Sequence, residues 1–313
     1  MANVSVIIPT RSRPHLLPRA VASAKRAGSE VEVIVVDDAS TDDTANVCKT
    51  LRGINYIRLE HNQGVAGARN VGILASSADY IAFLDDDDIR LPGSLDFQVE
   101  ALSENKEAGF ICGSVLMADQ EGNLTGDVTV PKASSGDVFW QLLGFGLSVM
   151  AISVVVRKDC FARVGMLQAN LSGIDDWDIL VRIAELYPVI VVDQPVSIYR
   201  QPTPYSDQGS SAMARHLRRA AHHQLQLLGL PRACAASLNQ QREVRTLARN
   251  RIADTLLWNA ALGISKGSFS FAGRNIGAAL RLSPLRALRP ANYRKLAAKL
   301  PNRRSSYEDA LVD

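Results

Sequence analysis

Acidic residues gather at four places in this chain, each where an element begins or ends. The densest is Asp85-Asp86-Asp87-Asp88, which directly follows the apolar run Tyr80-Ile81-Ala82-Phe83-Leu84. Adjacent carboxylates repel unless water or a cation neutralises them, and Mg²⁺ or Mn²⁺ is commonly held by one or two carboxylates together with substrate phosphate oxygens. An EF-hand loop is excluded, because its position-6 glycine would be Arg90 and its position-12 glutamate Asp96. A second pair, Asp37-Asp38, closes another apolar run, where a carboxylate can accept hydrogen bonds from a base N–H or a ribose hydroxyl. The neighbouring Thr41 and Asp42 suit a helix cap instead.

The other two places are helix starts. Asn62-Gln63-Gly64-Val65-Ala66-Gly67-Ala68-Arg69-Asn70-Val71-Gly72 sets small residues and one arginine at a loop-to-helix junction, which reads equally as close helix packing or as contact with a phosphate. Asp175-Asp176-Trp177-Asp178 opens an amphipathic pattern whose apolar stripe is Ile179, Leu180 and Ile183. Asp176 lies in phase with that stripe, so it is expected to lean inward, kept ionised by the helix dipole and suited to taking a proton. A capping role explains Asp175 equally well.

These residues need a frame. Apolar, β-branched runs at 4–8, 31–36, 54–59 and 80–84 read as strands, and helical periodicity fills the gaps, with Leu17, Ala20, Val21 and Ala24 on one face after a start at Ser12 or Arg13 with Pro14. Such β-α-β spacing predicts an α/β fold whose mostly parallel sheet is flanked by helices. Ligands bind such sheets at the carboxyl ends of strands, where both acidic runs fall. Beyond Val115 the pattern becomes mixed: a hairpin turn at Glu121-Gly122-Asn123, a strand at 151–156, a helix over 175–186 and a short strand at 189–192. After Gln201-Pro202-Thr203-Pro204 the chain reads as helices at 216–228, 237–263, 268–281 and 291–299.

Composition narrows the classes. With 313 residues, 47% of them hydrophobic, the chain can bury a full core. No apolar run reaches the roughly 18 to 20 residues of a membrane helix, and no secretory signal opens the chain, so a cytoplasmic protein is expected. Cys48, Cys112, Cys160 and Cys234 lie far apart, predicting buried, inert thiols rather than a zinc or disulfide framework. Residues 1–210 carry 17 Lys and Arg against 27 Asp and Glu, a balance of −10, whereas residues 211–313 carry 18 against 5, a balance of +13. The acidic part suits a metal site, and the basic part suits peripheral contact with an anionic membrane at the inner face. No nucleic-acid partner is expected.

Taken together these phrases resemble the family 2 glycosyltransferases. The matching stretches are Val4-Ser5-Val6-Ile7-Ile8-Pro9-Thr10-Arg11, Val33 to Asp42, Asn62-x-Gly64 with Ala68-Arg69-Asn70-x-Gly72, Phe83 to Asp88, and Asp175-Asp176-Trp177-Asp178. The resemblance covers about residues 3–205 and implies a GT-A fold, an inverting mechanism and a nucleotide-sugar donor, with UDP-sugars favoured. The domain at 1–205 would split at about 115 into a nucleotide-binding half and an acceptor-side half, followed by a basic helical subdomain at 206–313. By the same resemblance, Pro9, Thr10, Arg11 and Asp38 would surround the nucleotide base and ribose, and Asp37, Gly64, Arg69, Asp85 and Asp86 complete the expected nucleotide-binding set. Asp87, with Asp85, would hold Mn²⁺ or Mg²⁺, Asp176 would be the catalytic base, and Asp175 and Trp177 would lie on the acceptor side. The acceptor would be a bacterial surface glycan or its lipid-linked precursor. A sugar-phosphate nucleotidylyltransferase is the rival enzyme, but its expected glycine-rich first loop is absent from residues 9–14. A non-catalytic nucleotide-binding or membrane-associated module is the other alternative, and the intact acids argue against it.

Overall fold

The central strand, β1 (Val4–Thr10), is buried along its whole length. The cause is its place between two parallel neighbours, β2 (Val31–Asp37) on one side and β4 (Tyr80–Phe83) on the other, with β3 (Asn55–Arg58) outside β2. Three helices make the crossovers: α1 (Leu17–Arg26), α2 (Thr44–Thr50) and α3 (Gly64–Ala75). The computed structural model describes residues 3–119, 121–171, 173–200, 211–265 and 267–289.

The chain continues through β5 (Ile89–Arg90), α4 (Ser94–Glu104), β6 (Phe110–Ala118), β7 (Leu124–Thr129), α5 (Phe139–Leu143), β8 (Val154–Arg157), α6 (Asp159–Val164), α7 (Asp175–Leu186) and β9 (Val189–Arg200). The sheet order is β3-β2-β1-β4-β8-β6-β9-β5, with β7 paired to β6. β8 is antiparallel to both β4 and β6, and β9 is parallel to β6, so β6 and β9 run in the direction of β1. Only β5, β7 and β8 oppose it among the described strands. The expected hairpin joins β6 and β7, closed by Asp119, whose carboxylate accepts the Asn123 N–H at 2.8 Å.

Several boundaries moved for identifiable reasons. α1 begins at Leu17 with Pro18 in its first turn, not near Pro14, because Ser12 takes a left-handed φ of 53° and residues 13–16 form a turn. The strand expected at 151–156 starts at Val154, after a single 3₁₀ turn. β9 runs on to Arg200, although Asp193, Gln194 and Pro195 interrupt its apolar pattern; the register with β6 shifts on either side of the Ser114–Pro195 pair, which lets the proline into the sheet at a bulge.

Two cores cover the faces of the sheet. Val6, Ile8, Val33 and Val35 pack with Leu17, Val21, Leu95 and Leu102 of α1 and α4. Ile7, Ile34, Ile81 and Phe83 pack with Ala68 and Ile73 of α3 and with Ile179, Leu180 and Ile183 of α7, as the stripe predicted. The remaining helices are α8 (Ser211–Leu227), α9 (Pro231–Ala235), α10 (Leu238–Ser265), α11 (Phe269–Leu282) and α12 (Pro284–Ala287). Their own cluster, built on Ile252, Leu256, Leu257 and Ala279, also takes in Leu171 and Ile174, so it continues into the α/β part just before α7. The boundary expected at 205–206 and the helix expected at 291–299 fall outside the described residues. Cys48, Cys112 and Cys160 are buried as expected, whereas Cys234 is exposed because short α9 lies at the surface.

One buried charge is held by neutral acceptors. Arg90 is 1% exposed; its guanidinium donates to Gln98 Oε1 and to the Val154 carbonyl, each at 2.8 Å, and Gln98 in turn donates to the Ser153 carbonyl at 3.0 Å. Burial lowers its pKa to about 9.

Of the two readings of the glycine-rich helix start, close packing holds at Gly72. A Cβ there would lie 2.4 Å from Ile7 Cγ2 in the fully buried central strand. Gly72→Ala should therefore destabilise the protein by about 1–3 kcal/mol through overpacking. Guanidinium unfolding checks this, and the double variant with Ile7→Ala should lose less than the sum of the two single changes, because it vacates the contested space.

Candidate active site

Because β1, β2 and β4 run parallel and in register, Thr10, Asp37 and the 85–88 loop emerge at one edge of the sheet. β9 brings Arg200 to the same edge, where its N–H donates to Asp88 Oδ1 at 2.9 Å.

The run of four aspartates is sorted by burial. Asp86 is 3% exposed and accepts Thr10 Oγ1 at 2.7 Å and Arg13 Nη1 at 2.9 Å. Burial outweighs the Arg13 charge and pushes its pKa up to about 6. Asp88, at 2% exposure, is held well above the usual carboxylate range by burial and then by Asp85 and Asp87; its Oδ2 is buried without a hydrogen-bond partner. The side chains of Asp85 and Asp87 are 35% and 14% exposed and are the two of the run that keep access to solvent. Asp87 lies 3.8 Å from Arg13 Nη1. Among the described residues, no three His, Cys, Asp or Glu side chains form a ready-made metal cage. Two partly exposed, hard carboxylates nevertheless fit an octahedral cation that takes its remaining ligands from substrate phosphates and water.

Arg69 joins this loop to α7. Its guanidinium is 6% exposed and bonds Asp85 Oδ1 at 2.8 Å and Asp175 Oδ2 at 3.2 Å, while lying 5.4 Å from the Phe83 ring centroid. Burial opposes its charge, but Asp85, Asp175 and Asp176 more than offset that and raise its pKa. Asp175 is 2% exposed and also accepts the Gly173 N–H at 3.2 Å, so it is an ion-pair partner at the helix start and more than a simple cap. Asp176 corrects the expected inward lean: it is only half-buried, while Asp175 and Asp178 are the buried acids of the phrase. Its Oδ1 accepts the Trp177 N–H at 2.8 Å. Burial first, and then Asp175, push its pKa up to about 6 against the opposing Arg69 charge.

Other expected residues stand further back. Asp37 is fully buried and bonds the Ser40 N–H at 2.8 Å and the Tyr56 hydroxyl at 2.7 Å, supporting the loop from beneath. Asp38 accepts the N–H groups of Gln63 at 2.6 Å and Gly64 at 2.9 Å. The start of α3 is thus occupied by an anion from the chain itself, and Gly64, with φ of 74°, gives its N–H to Asp38 rather than to a phosphate. Pro9 is buried at the end of β1, and Arg11 is exposed beyond it. Trp177 is held by α5 and the residues after it: its ring stacks on Phe145 with centroids 4.2 Å apart, and its Nε1–H donates to the Leu142 carbonyl at 2.9 Å.

Sequence reasoning missed three participants. Arg13, read as part of a helix start, braces Asp86 and Asp87; its place two residues after Arg11 was the available signal. Asn70 spans from α3 to the loop before α7, its amide bonding both the N–H and the carbonyl of Leu167. Asp178 is buried against Arg182 and against His223 of α8, and no local pattern announces a histidine 45 residues away.

Comparison with known proteins fits this geometry. The profile of Glycosyl transferase family 2 matches residues 5–145. The chain is 34% identical over 182 residues to the UDP-Glc:alpha-D-GlcNAc-diphosphoundecaprenol beta-1,3-glucosyltransferase WfgD of Escherichia coli, covering 53% of this chain and 70% of that protein. It spans 62% or less of the length of three other curated relatives. Two solved structures share the fold. S. aureus TarS 1-349 in complex with UDP superposes with a TM-score of 0.53 at 17% identity, over 94% of this chain and 91% of that one. The mannosyltransferase PcManGT from Pyrobaculum calidifontis, in complex with GDP-Man and Mn2+, gives 0.58 at 17% identity, over 95% and 79%. With the GT-A-like sheet, the acids at its carboxyl edge and a relative this similar over most of its length, the chain belongs to the family 2 glycosyltransferases.

Proposed function

We propose that the protein is a metal-dependent, inverting glycosyltransferase that moves a sugar from a nucleotide diphosphate, with UDP favoured, to an acceptor hydroxyl. The observation that carries this reading is Arg69, which holds the open carboxylate Asp85 beside the start of α7, where Asp176 is half-buried with a raised pKa. Donor and acceptor chemistry would thereby meet in one cleft. The nucleotide would lie along the edge formed by Pro9, Thr10, Arg11 and the 37–40 corner. Asp87 and Asp85 would hold a divalent ion with the diphosphate oxygens, and that ion would supply charge neutralisation for the departing diphosphate.

The chain's own groups do the rest. Arg13 and Arg69 limit the repulsion among the acids. Asp176 accepts the proton of the acceptor hydroxyl as that oxygen attacks the anomeric carbon. A single displacement with a single base inverts the configuration. UDP-Glc and diphosphoundecaprenol in the name of WfgD, and UDP bound to TarS, favour a uridine donor and a lipid-linked acceptor of bacterial surface glycan.

A lipid-linked acceptor would place the enzyme at a membrane surface. Among the described residues no helix is long and apolar enough to cross a membrane. Residues 255–289 contain no acid, and the segment 269–289 exposes Phe269, Leu285 and Leu288 as well as Arg274, Arg281 and Arg289. That combination supports peripheral contact through 211–313. Co-sedimentation should rise with the fraction of anionic lipid and fall with salt, each basic residue near the surface contributing about 1 kcal/mol; binding indifferent to anionic lipid would remove this part of the reading.

UDP titrated calorimetrically should bind at least about tenfold more weakly in EDTA than with Mn²⁺, and Asp87→Ala should show the same loss with the metal present. Equal affinity in both conditions rules out the metal role.

For the base, Asp176→Asn should keep UDP affinity and lose about 10²–10⁴-fold in kcat. The proton acceptor must be ionised, and its pKa is raised, so wild-type kcat should fall as pH drops through about 6. An ordinary aspartate would hold activity to about pH 4. Turnover measured from pH 5 to 8 reads the limb directly, and NMR of the product should show inversion.

A further inference from the structure

Helix α8 lies outside the stretch that matches the family profile, yet three ties join it to α7, one directly, one through α5 and one through Gly173 just before α7. His223 is 5% exposed, and its Nε2–H donates to Asp178 Oδ1 at 2.6 Å. The other oxygen of Asp178, itself fully buried, accepts Arg182 Nε at 2.9 Å and Nη2 at 2.6 Å. Arg182 also donates to the Val164 and Met166 carbonyls, so the same carboxylate is tied to the loop after α6. A second tie runs through α5: the Leu142 carbonyl accepts Trp177 Nε1–H, and the Leu143 carbonyl accepts Nε2–H of fully buried Gln224 at 2.7 Å. The third is steric, because the His216 ring lies against Gly173, where a Cβ would come within 2.3 Å of Nδ1.

Asp176 and Asp178 point to opposite sides of the first turn of α7, two residues being about 200° of helix. One side faces Asp85 and Arg69; the other is fixed by α8. We propose that His223 is a positioning residue for the transfer reaction: through Asp178 it sets the first turn of α7 and with it the place of Asp176. A buried carboxylate oxygen that loses its hydrogen-bond donor must move or take up water, because an unsatisfied acceptor is costly where it stands even while Arg182 still balances the charge. Either adjustment rotates or loosens the turn that carries Asp176. A base displaced by about 1 Å can lose 10²-fold in rate while the nucleotide pocket, on other elements, is unchanged.

This inference rests on Asp176 being the base, and the full-length protein tests the two separately. His223→Leu removes the donor and roughly keeps the volume, whereas His223→Gln restores an N–H. With Mn²⁺ and whichever of UDP-glucose and UDP-N-acetylglucosamine the wild type turns over, water serving as acceptor, His223→Leu should lower kcat about ten- to hundredfold. UDP affinity should stay within about threefold, and His223→Gln should recover most of the loss. Unchanged kcat in His223→Leu overturns the proposal, as does an equal fall of kcat and UDP affinity with no recovery in His223→Gln. Where the leucine variant does not fold, Gln226→Ala serves: it removes the exposed side chain bonded at 2.7 Å to His223 Nδ1, and kcat identical to wild type overturns the proposal equally. Hydrogen exchange of amides 174–179 should be faster in His223→Leu. If Asp176→Asn kept full activity the base assignment would fail alone, and this exchange readout would still decide whether α8 orders the turn.

Discussion

The site depends on one buried cation held between two elements. Arg69 sits beneath the cleft with Asp85 on one side and Asp175 on the other, and a guanidinium with this little water is stable only while both carboxylates remain. The converse also holds. Asp85, Asp175 and Asp176 depend in turn on its charge to offset their mutual repulsion. The strand-end loop and α7, about ninety residues apart in sequence, are therefore placed by a single charge, and the planar fork of arginine can bond both carboxylates at once where a lysine would offer one point charge.

Around that contact the acids divide into buried ones, which hold the backbone in place, and partly exposed ones. Asp37, Asp38, Asp86 and Asp178 are buried and spend their oxygens on backbone N–H groups, hydroxyls, arginines or a histidine. Asp85, Asp87 and Asp176 retain exposure to the cleft. An acidic phrase is thus partly scaffold. The negative charge of the cleft is concentrated on few groups, which a single divalent ion and its substrate can balance.

The parallel half of the sheet was legible because its strands are apolar and continuous, and the position of the acids followed from the rule that ligands meet the carboxyl ends of strands. The hairpin at 121–123 was legible from turn chemistry alone. Less visible was the use of each acid. Asp86 and Asp87 are identical in sequence and differ only in what surrounds them, and Asp176 proved less buried than Asp175 because the ion pair with Arg69 settles which side of the turn faces inward. Long-range partners left no trace: β9 hides its length behind Pro195, and His223 looks like any other residue of a basic helix.

Arg90 bears on where this protein can be cut. Its guanidinium and the side chain of Gln98 are satisfied by the carbonyls of Val154 and Ser153, yet the family profile ends at residue 145. A fragment that stopped there would carry a core arginine with half its acceptors missing, and it would lack β8, the strand that joins β4 to β6. The stretch that defines the family in sequence is shorter than the smallest piece able to close its own interior, and truncations aimed at a minimal enzyme must be drawn from the hydrogen bonds of Arg90 outward.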